Sequence, residues 1–234
     1  MVIKSNIYVM SFPPLQAAIF DMDGLMLDTE RIAIDCWASA ARELQLQMHD
    51  QVPYGMVGMH MSKVPAYLLA ELGPDAPVQQ LIDATHACYL EATAKAIPHR
   101  PGVIALLDWL RERGVPCAVA TSSRRSVASH HLQAAGLWPY FEFAVCGDEI
   151  EHPKPAPDIY IKAATGLGRQ PAECVAFEDS NFGIAAAHSA GCRAIMVPDL
   201  RPPTAETMAL GVPVVESLSA AQPIVEAWLR VTTP

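Results

Sequence analysis

The stretch Phe20-Asp21-Met22-Asp23-Gly24-Leu25-Met26-Leu27-Asp28-Thr29-Glu30 decides how this chain is read. It continues an apolar run, Ala17-Ala18-Ile19-Phe20, that has the length and composition of a buried strand. That strand delivers Asp21 and Asp23 to its carboxyl end, where ligands bind in open α/β sheets. Side chains alternate along an extended chain, so the two carboxylates face one side. Gly24 then lets the backbone turn away sharply. Two acids held so close repel, and burying them without a partner is costly. The pair therefore calls for a cation or for a chemical use, and the stretch reads as a magnesium-dependent phosphoryl-transfer site.

The remainder of the 234 residues, 51% of the chain hydrophobic and 18% charged, is enough for a soluble globular protein with an ample core. No apolar run approaches the roughly 18 residues of a membrane span. Residues 1–15 read as an N-terminal extension without the long apolar region of a secretory signal, and Met10 offers an alternative start. Acidic residues number 25 against 16 basic ones, and no Lys/Arg run forms a patch, which argues against nucleic acid and anionic membranes as partners. The six cysteines are dispersed without a CxxC pair and read as reduced thiols of a cytoplasmic protein. Nothing in the sequence fixes the oligomeric state.

After the opening stretch, helical spacing predicts helices over 31–46, 62–72 and 78–96, with Asp28 or Thr29 able to cap the first. Nothing between 30 and 98 reads as a strand. From 99 onward the pattern changes to alternating helices and short strands, the latter at 115–120, 143–146, 174–177 and 194–197. Such βαβ periods argue for a parallel, doubly wound sheet. The expected fold is α/β: a Rossmann-like core over 16–28 and 99–231, interrupted by an all-helical cap over 29–98.

Three later strand ends carry residues suited to phosphate. Thr121-Ser122-Ser123 precede a helix, where hydroxyls and free N–H groups can hold an anion. Taken alone, Ser122 or Ser123 reads better as a helix cap. In His152-Pro153-Lys154-Pro155-Ala156-Pro157-Asp158 the prolines stiffen the loop and fix where Lys154 points, as a point charge for a phosphoryl oxygen or a carboxylate. Asp158 is expected to cap its helix or orient Lys154. Glu178 and Asp179 follow another apolar strand and suit a hard cation, although an acidic helix-capping loop would look the same. Each signal is weak singly, but all of them fall on βα turns of one sheet and so converge on one rim.

These residues carry a resemblance. DMDGLMLDTE at 21–30, ATSS at 120–123, HPKPAPDIY at 152–160 and FEDSNFGIAAAHSAG at 177–191 resemble, in order and spacing, the haloacid dehalogenase-like (HAD) hydrolases. The branch is the one holding β-phosphoglucomutase and small sugar-phosphate phosphatases, and the cap lies where that branch puts its own. The resemblance implies that Asp21 is the nucleophile of a phosphoaspartyl intermediate and Asp23 the general acid and base. It implies Mg²⁺ held by the Asp21 carboxylate, the Asp23 carbonyl and Asp179, with Glu178 a direct or water-mediated ligand. Gly24, Thr121, the Ser122 N–H and Lys154 would bind the phosphate, with Thr121 and Lys154 counted among the catalytic groups. His60 lies in the cap region that often reaches towards substrate.

The resemblance also separates neighbouring reactions. Asp23 argues against a dehalogenase, which needs no leaving-group protonation. Phosphonate-cleaving relatives use a cap lysine, and the only cap lysines, Lys63 and Lys95, read as solvated surface charges. Mutases carry a histidine twelve residues after the nucleophile, where this chain has Ala33. The function expected is hydrolysis of a small phosphorylated metabolite, a sugar or polyol phosphate. A phosphosugar mutase is the alternative, and a non-catalytic binding protein on a retained core a further one. No GxGxxG follows the first strand, so a dinucleotide-binding oxidoreductase is not expected.

Overall fold

The computed structural model describes residues 13–57, 59, 61–95 and 97–230. Met10 and His60 lie outside them. After β1 (Ala17–Phe20) come four helices without an intervening strand: α1 (Thr29–Glu43), α2 (Gln51–Gly55), α3 (Val64–Leu72) and α4 (Val78–Lys95). Helix and strand then alternate through α5 (Val103–Glu112), β2 (Cys117–Thr121), α6 (Arg125–Ala134), β3 (Phe143–Cys146) and α7 (Asp158–Gly166). The chain finishes with β4 (Cys174–Glu178), α8 (Asn181–Ala190), β5 (Arg193–Met196), α9 (Ala205–Ala209) and α10 (Leu218–Leu229).

The strands are all parallel, in the order β3-β2-β1-β4-β5. β1 is thus central, and the chain runs outward from it first through β2 and later through β4. That reversal is the switch point where an open α/β sheet leaves a crevice at its carboxyl edge. β1 is buried on both faces, which is why its sequence is continuously apolar. Ala18 and Phe20 pack with α5, α6 and α10, whereas Ala17 and Ile19 pack with α7 and α8. The α1–α4 region builds a separate apolar cluster around Trp37, Val52, Val64, Leu68 and Leu81. The expected Rossmann-like sheet with an all-helical insertion is what the chain forms.

Boundaries shift modestly. The expected helix over 31–46 begins at Thr29 and stops at Glu43, with Gln45 beyond it at a φ of 55°. Asp28 makes no side-chain cap; it pairs instead with Arg31 at 2.8 Å. The short helices α2 and α9 were not expected, because five residues are too few to show a helical period.

Two of the six cysteines are not the reduced thiols expected. Cys36 on α1 and Cys88 on α4 are joined by a disulfide, their Cα atoms 5.5 Å apart. The two helices lie side by side, a neighbourhood that 52 residues of separation conceal in the sequence. Cys117, Cys146, Cys174 and Cys192 are buried free thiols.

The two linkers between sheet and helical region pair with each other. Leu27 faces His99 in an antiparallel bridge, the Asp28 N–H donates to the Pro98 carbonyl at 2.9 Å, and the Arg100 N–H donates to the Met26 carbonyl at 2.9 Å. Asp199, beyond β5 and with its side chain fully buried, accepts from Arg31 and from Arg100 through the same Oδ1, each at 2.8 Å. Nearby Arg201 donates to the carbonyls of Tyr54 and Gly55 at the end of α2. Among the described residues no helix is long and apolar enough to cross a membrane.

Candidate active site

The site begins where β1 and β4 end together. Phe20 stacks on Phe177 with ring centroids 4.6 Å apart, and the Asp21 N–H donates to the Phe177 carbonyl at 3.0 Å. This register brings Asp21 beside Glu178 and Asp179. Carboxylate oxygens of the three lie within 4.8 Å of one another, and all three residues are buried. Lys154 enters from the loop before α7. Its Nζ donates to Asp21 Oδ1 and Glu178 Oε1, both at 2.5 Å, and to the Ala120 carbonyl at 3.0 Å. Burial disfavours the ammonium, but Asp21 and Glu178 more than offset this and hold its pKa above the ordinary lysine value.

Glu178 is fully buried and fixed on every side. Besides Lys154, it accepts from the Tyr160 hydroxyl at 2.6 Å and the Ser180 hydroxyl at 3.0 Å. A Cβ at Gly183 would lie 1.9 Å from its Cδ, so the first turn of α8 must be glycine there. Gly24 (φ 78°) gives Asp179 similar room, since a Cβ would meet Asp179 Oδ2 at 2.5 Å.

Three carboxylates against one ammonium leave this cluster short of positive charge. Burial, reinforced by the charge of Glu178, pushes Asp21 up to about 8 despite Lys154. Asp179 is likewise driven well above the usual carboxylate range by burial and by Asp21, Glu178 and Glu30. A dry all-oxygen cluster lacking countercharge is the donor set a hard divalent cation takes. Asp21 and Asp179 are the members it suits best, because the oxygens of Glu178 are already engaged by protein donors.

Asp23 points elsewhere. Its Oδ1 accepts from the Thr29 hydroxyl at 2.8 Å and lies 3.8 Å from His131 Nδ1. Its Oδ2 accepts from the Ser123 hydroxyl at 2.7 Å and the Thr121 hydroxyl at 3.4 Å. Burial raises its pKa, but His131, Ser123 and Thr29 outweigh that and hold it below the usual range. As it stands, Asp23 is arranged as a carboxylate able to take a proton.

The geometry alters several sequence expectations. Ser123 does not cap α6. The Arg125 N–H is capped by Asp148 at 2.9 Å, and Ser122 is solvent-exposed. Asp158 pairs with His152 at 2.9 Å; its helix gets no side-chain cap, and Lys154 is oriented by the acids instead. Lys63 is exposed, as expected. Sequence reasoning missed Tyr160, Tyr89 and His131, which read as ordinary apolar-face or helix residues. It also missed Glu30, pushed up to about 7 by burial and the charges of Asp199 and Asp23.

The sequence profile of the haloacid dehalogenase-like hydrolases matches residues 18–197. The chain belongs to that family. It is 34% identical over 183 residues to the fructose-1-phosphate phosphatase YqaB of Escherichia coli, covering 76% of this chain and 94% of the relative. It is 31% identical over 180 residues to hexitol phosphatase A of the same organism, covering 76% and 81%. A HAD family hydrolase from Deinococcus radiodurans, solved with bound phosphate and sodium, superposes with a TM-score of 0.79 at 29% identity, covering 94% of this chain and 99% of that one. The family places the protein among the hydrolases, and both curated relatives named above are phosphatases.

Proposed function

We propose that the protein is a magnesium-dependent phosphoric monoester hydrolase that cleaves a sugar or polyol phosphate through a phosphoaspartyl intermediate. The observation that carries the reading is the buried cluster of Asp21, Glu178 and Asp179, short of positive charge, with Lys154 clamped on Asp21. The names of the two Escherichia coli phosphatases support the substrate class.

Asp21 is the nucleophile, positioned by the β1–β4 ladder and by Lys154. Asp23 takes up a proton as the substrate dianion binds beside it, gives that proton to the leaving oxygen in the first step, and regains one from water in the second. Thr121, the Ser122 N–H and Lys154 bind phosphoryl oxygens, where transition-state charge collects. Asp21, the Asp23 carbonyl and Asp179 would hold Mg²⁺, with Glu178 acting through water. Bound there, the cation would supply charge neutralisation for the substrate dianion as Asp21 approaches it. Gly24, which gives Asp179 its room, and His60 are proposed substrate contacts. Ala33, where mutases carry a histidine, favours hydrolysis over transfer between hydroxyls.

The domain division goes with this reading: a catalytic core over 16–28 and 99–231, a cap over 29–98, and an extension over 1–15. The paired linkers at 27–29 and 98–102 are its pivots, and closure excludes water while Asp21 attacks. The compartment we propose is the cytoplasm, on the four free thiols set against the single Cys36–Cys88 bond; recovery of the native protein from another fraction overturns that.

The test is phosphate release from a panel of sugar, polyol and glycolate phosphates and from p-nitrophenyl phosphate, with and without Mg²⁺. Turnover is expected only with the cation, and Asp21→Asn should abolish it. Full activity of that variant would refute the nucleophile assignment. Isomerisation of β-glucose 1-phosphate with negligible phosphate release would replace the hydrolase by a mutase.

A further inference from the structure

His131 lies on α6, buried with a relative exposure of 2%, and among the described residues its Nδ1 has no hydrogen-bond partner. An imidazole nitrogen left dry and unpaired costs free energy unless a partner can reach it. The nearest acidic group is Asp23, whose Oδ1 lies 3.8 Å from Nδ1. Tyr89 of α4 covers the imidazole from the cap side, ring centroids 5.8 Å apart. Since a carboxylate faces Nδ1, the tautomer the site calls for carries its proton there.

The donors on Asp23 come from two parts of the chain. Ser123 and Thr121 hold Oδ2 from the turn after β2, on the sheet side. Oδ1 is held by Thr29, the first residue of α1, which belongs to the linker. On the sheet side, His131 is the side chain that faces Oδ1, 3.8 Å from it. We propose that His131 is a positioning residue for Asp23, its Nδ1–H fixing Oδ1 so that the acid/base carboxylate keeps one orientation through the reaction. The proposal rests on the reading of Asp23 as general acid and deepens it.

The test uses the leaving group. An alkyl phosphate needs its departing oxygen protonated, whereas p-nitrophenolate leaves unaided. For both esters kcat/KM reports the steps up to formation of the phosphoenzyme. The substrates are p-nitrophenyl phosphate and whichever alkyl phosphate of the panel the wild type turns over fastest. His131→Ala is expected to lower kcat/KM roughly 10-fold or more on the alkyl ester and to change it less than about 3-fold on the aryl ester. His131→Asn, whose amide N–H can stand where Nδ1–H does, should restore most of the alkyl activity.

Equal losses on the two esters, no loss on the alkyl ester, or a selective loss that Asn does not repair would each overturn the proposal. If His131→Ala does not fold, His131→Leu serves as the apolar variant under the same criteria, since it leaves no unpaired nitrogen behind. Asp23→Asn separates the two levels of inference. It should show the selective loss in stronger form, and its failure to do so defeats the acid assignment and the proposal with it.

Discussion

The Thr29 hydroxyl donates to Asp23 Oδ1 at 2.8 Å, joining the first residue of α1 to the second carboxylate of the opening stretch. One side chain thereby connects the start of the helical region to a group assigned to proton transfer. Thr29→Val should lower turnover of an alkyl phosphate by about 10-fold, whereas Thr29→Ser should retain most of it. Magnesium affinity should not change in either variant. Steady-state rates measured alongside a magnesium titration check both parts.

Metal dependence can be read without turnover. At pH 8, saturating Mg²⁺ should stabilise the wild type by about 2–3 kcal/mol when present at ~100 times its Kd. Asp179→Asn should lose that increment. Without the cation the variant should melt no lower than the wild type, because it removes one of three crowded buried acids. Thermal melts with and without Mg²⁺ or EDTA report both.

Glu30 gives a pH signature of its own. Burial and the charges of Asp199 and Asp23 raise its pKa in the fold to about 7 from the ordinary 4.5, so between these values the folded state binds more protons than the unfolded one. Its contribution to stability therefore falls as pH rises through that window and is flat above it. Glu30→Gln should match the wild type near pH 4.5 and exceed it by about 2 kcal/mol at pH 8, allowing for solvent screening. Urea unfolding at the two pH values measures the gap. A constant gap would remove Glu30 from the account.

The Cys36–Cys88 bond closes a loop of 52 residues in sequence separation. Cross-linking a loop of that size stabilises by about 2–4 kcal/mol, chiefly by restricting the unfolded chain. Cys88→Ser should therefore unfold at lower urea under oxidising conditions. In excess dithiothreitol the variant and wild type should nearly coincide. Thiol counts on denatured protein should find four free groups before reduction and six after it.

Much of the sheet was legible because its strands are short, apolar and closed by helices of clear period. β1 and β3 fall where the pattern places them, and β2, β4 and β5 shift by only a residue or two. The residues brought together at the sheet edge were legible for the same reason, since each follows a strand. What stayed hidden depends on packing across the chain. His131 and Tyr89 sit on helices whose faces look like ordinary core, and only the meeting of α4 with α6 sets them over Asp23. The Cys36–Cys88 bond needs α1 beside α4, which no local spacing states. Gly183 was visible as a glycine, but its purpose requires knowing that Glu178 fills the space a methyl would occupy.

Asp199 holds Arg31 and Arg100 on a single carboxylate oxygen, so the outgoing and returning linkers share one anchor. Neither strand of the connection can be exchanged on its own without stranding a buried charge. For anyone grafting the helical segment of one relative onto the sheet of another, the transferable unit is the helices together with this three-residue knot. Cut inside it, and the graft inherits an acid with no partner; cut outside it, and the junction carries its own counter-ions.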